Sequence, residues 1–269
     1  MQMFSLPRPV AFVLGGGGSL GAVQVGMLQA LAELEVSPDL VVGTSVGSLN
    51  GAVVALDPKS AANRLSRIWP RITRPMVFPG GPLAQLRTLQ QGRTHLFPNT
   101  SLQAVIRAHL ASETTFAELA LPFGAVTTDV ATAAPHVLTD GRLVPALLAS
   151  TAIPGIFPAV SIDGRQLYDG GVVANVPVTQ AMAMGAQSLV VLDAVFPGHL
   201  PGRHRHSLRQ CSSLPWSPCG CRQRWKRLWP PLAYRWSICQ GRPSNVSRHW
   251  SSPIRTCSSR AGIRPQGHS

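Results

Sequence analysis

Short apolar segments alternate with helical patterns along much of this chain, and that alternation restricts the possible folds more than any other feature. The first apolar segment is Val10–Leu14, and residues 20–34 then carry apolar side chains at helical spacing. A second apolar segment at 40–42 precedes a helix-compatible stretch at 48–56. Strands joined by crossover helices form parallel sheets with helices packed on their faces. The sequence therefore predicts an α/β fold with a mostly parallel central sheet.

Two later segments also have the apolar character of buried strands, at 123–126 and 189–193. Asp163 and Gly164 form a tight-turn signal between Val160–Ile162 and the segment 166–168. These residues predict a β-hairpin that delivers the chain to an acidic motif.

Residues 59–118 depart from the alternation and have helical and loop-like patterns broken by proline and glycine. Their apolar side chains would suffice for a helical cap beside a site, although ordinary core packing accounts for most of them. These side chains include Trp69, Phe78, Leu83, Leu86, Leu89, Leu96 and Phe97.

The segment 43–47 reads Gly-Thr-Ser-Val-Gly and lies between the second predicted strand and the helix that follows. A G-x-S-x-G pattern in this setting is typical of a nucleophile elbow, a sharp turn that exposes a serine hydroxyl. Gly43 and Gly47 would let the strand and the helix pass close together. Ser45 is therefore a candidate nucleophile. A simpler interpretation is that Ser45 only caps the helix, since serine is a favoured N-cap residue.

A glycine-rich block at 15–21, Gly-Gly-Gly-Gly-Ser-Leu-Gly, lies between the first strand and the first helix. Its backbone N–H groups, at the positive end of a helix dipole, suit an anion such as the oxyanion of a tetrahedral intermediate. Gly16, Gly18 and Gly21 also match the dinucleotide pattern G-x-G-x-x-G. The second strand lacks the acidic residue at its end that would bind a ribose, so a nucleotide-binding module is the lesser alternative.

Asp169 is followed by Gly170 and Gly171, which would let the backbone turn sharply and the carboxylate project into a cleft. A plain turn is the simpler interpretation of this motif. A Ser/His/Asp triad of the α/β-hydrolase order needs a histidine downstream of the acid. Within 1–195 the histidines all lie upstream, at His95, His109 and His136. A dyad of Ser45 with Asp169 as the base fits the sequence better than a triad.

These three motifs, together with the segment 147–158, resemble the patatin-like phospholipase family in its bacterial branch. The resemblance covers about residues 9–195. It implies a three-layer α/β/α fold and a Ser-Asp dyad that hydrolyses lipid acyl esters without a metal or other cofactor. Many members carry Arg or Lys where this chain has Leu20, so a cation that could hold the loop or an anionic head group is missing here.

The resemblance also implies roles for individual residues. Ser45 is the nucleophile and Asp169 the proton acceptor. The oxyanion hole consists of the amides of Gly16, Gly17 and Gly18. The glycines that support the elbow and the acidic motif are Gly43, Gly47, Gly170 and Gly171.

The last part of the chain, 196–269, differs in composition from the rest. Residues 1–195 hold 11 basic and 11 acidic residues, whereas 196–269 hold 13 basic and no acidic ones, with all five cysteines. We interpret 1–195 as an acyl hydrolase domain that is incomplete at its C-terminal side, and 196–269 as a basic, disordered tail. A frameshift near residue 195 is the favoured explanation. The alternative is a genuine tail able to contact anionic membranes or nucleic acid.

The sequence predicts a cytoplasmic protein whose partner is a lipid or acyl-ester substrate. The apolar segment Val10–Leu14 is too short for a signal-peptide core, and no apolar run approaches the ~18 residues of a membrane span. Transient contact with a membrane surface is compatible with this prediction, and nucleic acid is not the expected partner. A catalytically inactive, truncated relative is the main alternative. The acyl chain, head group and oligomeric state are not specified by the sequence.

Overall fold

A computed structural model of the chain describes residues 6–81, 85, 94–110, 114–194 and the strand at 238–240. The strands are β1 (Val10–Leu14), β2 (Leu40–Thr44), β3 (Phe123–Asp129), β4 (Ala134–Leu138), β5 (Val160–Ile162), β6 (Arg165–Asp169), β7 (Ser188–Leu192) and β8 (Ile238–Gln240). The helices are α1 (Ala22–Glu33), α2 (Val46–Leu56), α3 (Ala61–Ile68), α4 (Arg74–Val77), α5 (Thr100–His109), α6 (Leu143–Ser150) and α7 (Val178–Ala183).

The strands form one sheet in the order β5-β6-β3-β2-β1-β7-β8, with β4 paired to β3. Its centre, β7-β1-β2-β3, is parallel. The pairs β3-β4, β3-β6, β5-β6 and β7-β8 are antiparallel. The predicted α/β fold with a parallel sheet is therefore confirmed, with antiparallel strands added on both sides of the parallel centre.

The central strands are largely apolar and almost entirely buried, as expected where both faces of a sheet are covered. All five residues of β1 are buried. Alternate side chains point to opposite faces, so Phe12 and Leu14 pack into the core formed with α1, α2, α3, α5 and α6. Ala11 and Val13 pack into a second core that contains Ala181 of α7. The result is the three-layer α/β/α arrangement.

The register of the parallel strands places the predicted motifs side by side. Leu14, the last residue of β1, pairs with Gly43, so the glycine block and the G-x-S-x-G segment begin at the same edge of the sheet. Thr127 of β3 pairs with Asp169, the last residue of β6. Strand pairing alone thus brings the three motifs to the carboxyl ends of the central strands.

Two details of the helices differ from the sequence-based expectation. Helix α2 begins at Val46 rather than at residue 48. Leu20 and Leu34, expected on the apolar face of the first helix, are 49% and 59% exposed, because Leu20 precedes α1 and Leu34 is its C-cap. Gln24 is fully buried instead, and its side chain donates to the carbonyls of Gly15 and Leu192. A buried amide thus fastens α1 to the start of the glycine block.

The predicted cap region contains α3, α4 and α5. Phe78 packs against Phe97 and Phe157, with ring centroids 5.3 and 5.6 Å away. Leu96 N–H donates to the carbonyl of Gly155 at 3.0 Å. These contacts join the region to the loop after α6. The expected cap residues Leu83, Leu86 and Leu89 lie outside the described residues.

Beyond residue 194 the structure describes Ile238–Gln240, which pairs antiparallel with β7. The remaining predictions for 196–269 lie outside the described residues. Within the described part of the chain, no helix combines the length and the apolar character needed to cross a bilayer.

Candidate active site

Ser45 lies at the turn between β2 and α2, in a backbone conformation that non-glycine residues seldom adopt. Its φ is 54° and its ψ is −127°. A non-glycine residue at positive φ costs about 1–2 kcal/mol, so surrounding contacts must hold it there. Although Ser45 is the N-cap residue of α2, its side chain makes no capping hydrogen bond. Its Oγ donates instead to Oδ2 of Asp169 at 2.6 Å, across 124 residues of sequence.

Two glycines make this turn possible. A Cβ on Gly43 would lie 2.4 Å from the carbonyl oxygen of Gly47. A Cβ on Gly47 would lie 2.2 Å from the carbonyl oxygen of Leu14 and 2.5 Å from that of Gly15. These obstacles are backbone atoms, which cannot rotate away as a side chain can. The close approach of β1, β2 and α2 thus requires glycine at both positions.

Asp169 is held by its own backbone as well as by its carboxylate. Its N–H donates to the carbonyl of Ala152 at 2.9 Å, and its carbonyl accepts from the Thr128 hydroxyl at 2.8 Å. Oδ1 accepts from the N–H of Gly171 at 2.7 Å, which leaves Oδ2 for Ser45. A Cβ on Gly170 would lie 2.4 Å from the carbonyl oxygen of Val126, so the predicted need for glycine after Asp169 has a direct steric cause.

The environment of Asp169 makes its carboxylate a stronger base than an exposed one. Only 4% of the residue is exposed. Burial raises the pKa of Asp169 above its ordinary value, while the hydrogen bonds from Ser45 and Gly171 oppose that rise. Desolvation penalises the charged form, so the carboxylate accepts a proton more readily than it would in water. This is the direction that a general base for a serine hydroxyl requires.

The backbone amides of the glycine block fall into two groups: two donate within the protein, and two belong to residues that line the cavity. Gly15 N–H donates to the carbonyl of Leu192 at 3.1 Å, and Gly16 N–H donates to the carbonyl of Asn175 at 3.0 Å. Neither Gly17 N–H nor Gly18 N–H has a protein acceptor among the residues that the structure describes. The Gly16 amide therefore already has an acceptor in a neighbouring loop, and the oxyanion-hole role of Gly16, Gly17 and Gly18 stays a prediction.

Asn175 is a site residue that the sequence reasoning missed. The backbone carbonyl of Asn175 accepts from the N–H of Gly16. Its side chain is also close, since a Cβ on Gly16 would lie 2.5 Å from Asn175 Oδ1. The residue follows Asp169 by six positions, in a loop where an asparagine alone indicates only a turn. Its contact with the glycine block depends on the fold, so no local pattern could have identified it.

Ser45 and Asp169 open into a cavity of about 350 Å³. Its rim is apolar, since Ile153 and Val172 line it and are 40% and 59% exposed. The lining residues are Gly17, Gly18, Ser45, Ile153, Pro154, Asp169, Gly171, Val172 and Asn175. The cavity therefore joins a polar floor, where the hydroxyl and the carboxylate meet, to an apolar entrance.

The three candidate histidines lie elsewhere. His136 is in β4, where its carbonyl accepts from the Thr127 hydroxyl at 2.7 Å. His109 ends α5, and burial together with the charge of nearby arginines lowers its pKa. His95 precedes Leu96 in the cap region, and none of the three is among the residues lining the cavity. Among the described residues, Ser45 is bonded to a carboxylate and not to an imidazole.

The fold and the site together define an α/β protein with a serine–carboxylate pair at the carboxyl edge of a parallel sheet. The model of the family described as patatin-like phospholipase matches residues 12–182. The chain belongs to the patatin-like phospholipase family, as the sequence motifs predicted. The narrower assignment to its bacterial branch stays a prediction.

Several curated proteins are similar to the chain over 68% of its length. Patatin-like phospholipase domain-containing protein 7 of Mus musculus is 34% identical over 189 residues. Patatin-like phospholipase domain-containing protein 6 of Homo sapiens is 33% identical over 187 residues. Lysophospholipase NTE1 of Mycosarcoma maydis is 30% identical over 193 residues. The chain covers 13% of each mammalian protein and 10% of the fungal one.

Proposed function

We propose that this chain is a serine acyl hydrolase of lipid esters in which Ser45 is the nucleophile and Asp169 the general base. The observation that carries the proposal is the 2.6 Å hydrogen bond from Ser45 Oγ to a buried carboxylate. A serine hydroxyl on a strained turn, bonded to a base and exposed to a cavity, is the arrangement that covalent catalysis requires. Family membership supports a lipid ester as the substrate.

In the acylation step, Ser45 Oγ attacks the ester carbonyl carbon while its proton passes to Asp169 Oδ2. The negative charge that develops on the carbonyl oxygen would be stabilised by the N–H groups of Gly17 and Gly18, which line the same cavity and have no acceptor among the described residues. Collapse of the tetrahedral intermediate breaks the carbon–oxygen bond to the alcohol, which leaves with the proton from Asp169. An acyl-enzyme on Ser45 remains.

In the deacylation step, a water molecule attacks the acyl carbon and gives its proton to Asp169. The second tetrahedral intermediate uses the same amide donors. Its collapse releases the fatty acid and returns the proton to Ser45 Oγ, which restores the starting state. One carboxylate thus serves as base and then as acid in each half of the cycle.

The cavity favours the acyl part of a lipid over a charged head group. Its lining residues include no Lys or Arg, and Leu20, within the glycine block, is exposed. The apolar rim at Ile153 and Val172 would contact acyl chains at the surface of a membrane or micelle. The fungal relative is a lysophospholipase by name, so single-chain phospholipids are the first substrates to test.

The test compares Ser45→Ala with a second Ser→Ala variant outside the site. Ser188 is the matched control, because its hydroxyl is buried without a partner in the described part of the chain and lies at the amino end of β7, away from the cavity. With lysophosphatidylcholine and a short-chain chromogenic ester as substrates, Ser45→Ala should abolish turnover and Ser188→Ala should retain it. Unchanged turnover in Ser45→Ala would refute the assignment, and an inactive wild type would favour the inactive-relative alternative.

A further inference from the structure

We propose that Ser150 is a positioning residue that holds the nucleophile elbow in its strained conformation and ties it to the strand beside Asp169. The proposal rests on the proposed function, since it concerns the rate at which Ser45 attacks. Ser150 is the last residue of α6 and is fully buried. It is not among the residues that line the cavity, so it would act through Ser45 and not on the substrate.

The Ser150 hydroxyl makes two hydrogen bonds with backbone groups. It accepts from the N–H of Ser45 at 3.1 Å and donates to the carbonyl of Val126 at 2.7 Å. A hydroxyl can do both at once because it carries one proton and two lone pairs. Both bonds are buried. One side-chain atom from α6 therefore bridges the turn after β2 and the middle of β3.

The bond to Ser45 gives an acceptor to a backbone N–H at the start of α2. The first N–H groups at the start of a helix have no partner within the helix, and Ser45 is the N-cap residue of α2. On the other side of the same residue, the Ser48 hydroxyl donates to the carbonyl of Ser45 at 2.6 Å. The peptide groups before and after the Ser45 Cα are thus both fixed by buried hydroxyls, which opposes relaxation from positive φ.

The bond to Val126 extends this restraint toward the base. Val126 directly precedes Thr127, the residue of β3 that pairs with Asp169. The carbonyl of Val126 also lies against Gly170, the residue after Asp169. Ser150 therefore connects the backbone of the nucleophile with the backbone that positions the carboxylate, and this connection would help to keep their side chains at 2.6 Å.

Removal of the Ser150 hydroxyl should slow the chemical step without weakening substrate binding. In Ser150→Ala, the Ser45 N–H and the Val126 carbonyl lose their shared partner inside the protein. A small displacement of a catalytic group can reduce the rate strongly, so we expect kcat to fall by about 10- to 100-fold. KM should stay within about twofold, because Ser150 does not reach the cavity.

The experiment compares Ser150→Ala and Ser150→Cys with Thr151→Val. The thiol of Ser150→Cys fills the space of the hydroxyl but is a weak donor and acceptor, so this variant separates hydrogen bonding from packing. Thr151 is the control, because the bonds of its buried hydroxyl within the described part of the chain go to the carbonyls of Leu147 and Leu148 in α6. Each variant is measured for kcat, KM, thermal unfolding and the rate and extent of labelling of Ser45 by a fluorophosphonate. The extent of labelling counts competent sites, so kcat refers to folded protein only.

The expected result is a lower kcat and slower labelling per competent site in both Ser150 variants, with Thr151→Val close to the wild type. Wild-type kcat per competent site in either Ser150 variant would overturn the inference, as would an equal loss in Thr151→Val or a loss confined to KM. The proposed function fails separately: wild-type protein that neither turns over an ester nor reacts at Ser45 would refute both.

Discussion

Gly47→Ala tests the claim that close backbone packing places Ser45, the proposed nucleophile. The new Cβ would lie 2.2 Å from the Leu14 carbonyl oxygen, more than 1 Å inside the 3.4 Å at which ordinary contacts begin. Because the obstacles are backbone atoms of β1 and the glycine block, α2 and the elbow must move away from the sheet. Overpacking of this kind costs about 3 kcal/mol or more, which corresponds to a fall of roughly 6–12 °C in Tm for a folded region of this size.

The same displacement should also lower kcat of the protein that remains folded, in addition to lowering its free energy of unfolding. A movement of about 1 Å at a reacting group can cost about 100-fold in rate, so kcat of the folded Gly47→Ala protein should fall by about that factor. The assay is thermal unfolding together with ester hydrolysis below the transition, normalised to the folded fraction.

Gly51→Ala is the matched control, one helical turn further along α2. Its Cβ would meet side-chain atoms only, Phe123 Cε2 at 3.1 Å and Val41 Cγ1 at 3.2 Å. Alanine is about 1 kcal/mol better than glycine inside a helix, which offsets the tight contacts, so the net change should be within ~1 kcal/mol. The reasoning is refuted if Gly47→Ala melts and turns over like the wild type, or if the two variants are equally impaired.

Two further predictions follow from the site. Burial raises the pKa of Asp169, and the proposed reaction needs its carboxylate, so kcat/KM should fall as the pH is lowered, with a midpoint above the ordinary value of 3.8. A pH–rate profile with its midpoint at or below 3.8 would contradict this prediction. Single histidine-to-alanine variants should keep kcat within about threefold of the wild type, and a loss of orders of magnitude in any of them would restore a triad. The variants are His95→Ala, His109→Ala and His136→Ala.

Local sequence patterns were sufficient to predict several of the strands and helices and to single out Ser45 and Asp169, whose side chains are hydrogen-bonded in the structure. The hairpin turn was visible in Asp163 and Gly164, and the structure gives them φ values of 48° and 78°, as a tight two-residue turn requires. The turn at Ser45 was visible because the glycines at 43 and 47 flank a serine between an apolar strand and a helix. Such signals are readable because the causes are steric and lie within a few residues.

The supporting contacts could not be predicted, because they join residues far apart in the chain. Ser45 and Ser150 are separated by 105 positions, and nothing near Ser150 indicates which amide its hydroxyl accepts from. Asn175 is recognised as a residue of the site only from its contact with the glycine block in the folded chain. For the same reason, no local pattern indicated that the Asn175 carbonyl accepts from the Gly16 N–H. Burial of Gln24 in place of Leu20 likewise depends on the neighbouring strands.

The most direct test of the proposed Ser45–Asp169 dyad is covalent labelling with a fluorophosphonate, followed by mass spectrometry of the intact protein and its peptides. We expect a single adduct on Ser45 in the wild type and none at that residue in Ser45→Ala. In Asp169→Asn, the labelling rate should fall by about 100-fold or more, since a positioned general base contributes roughly that factor at least. An adduct on another residue, or equal labelling rates in the wild type and Asp169→Asn, would contradict the dyad.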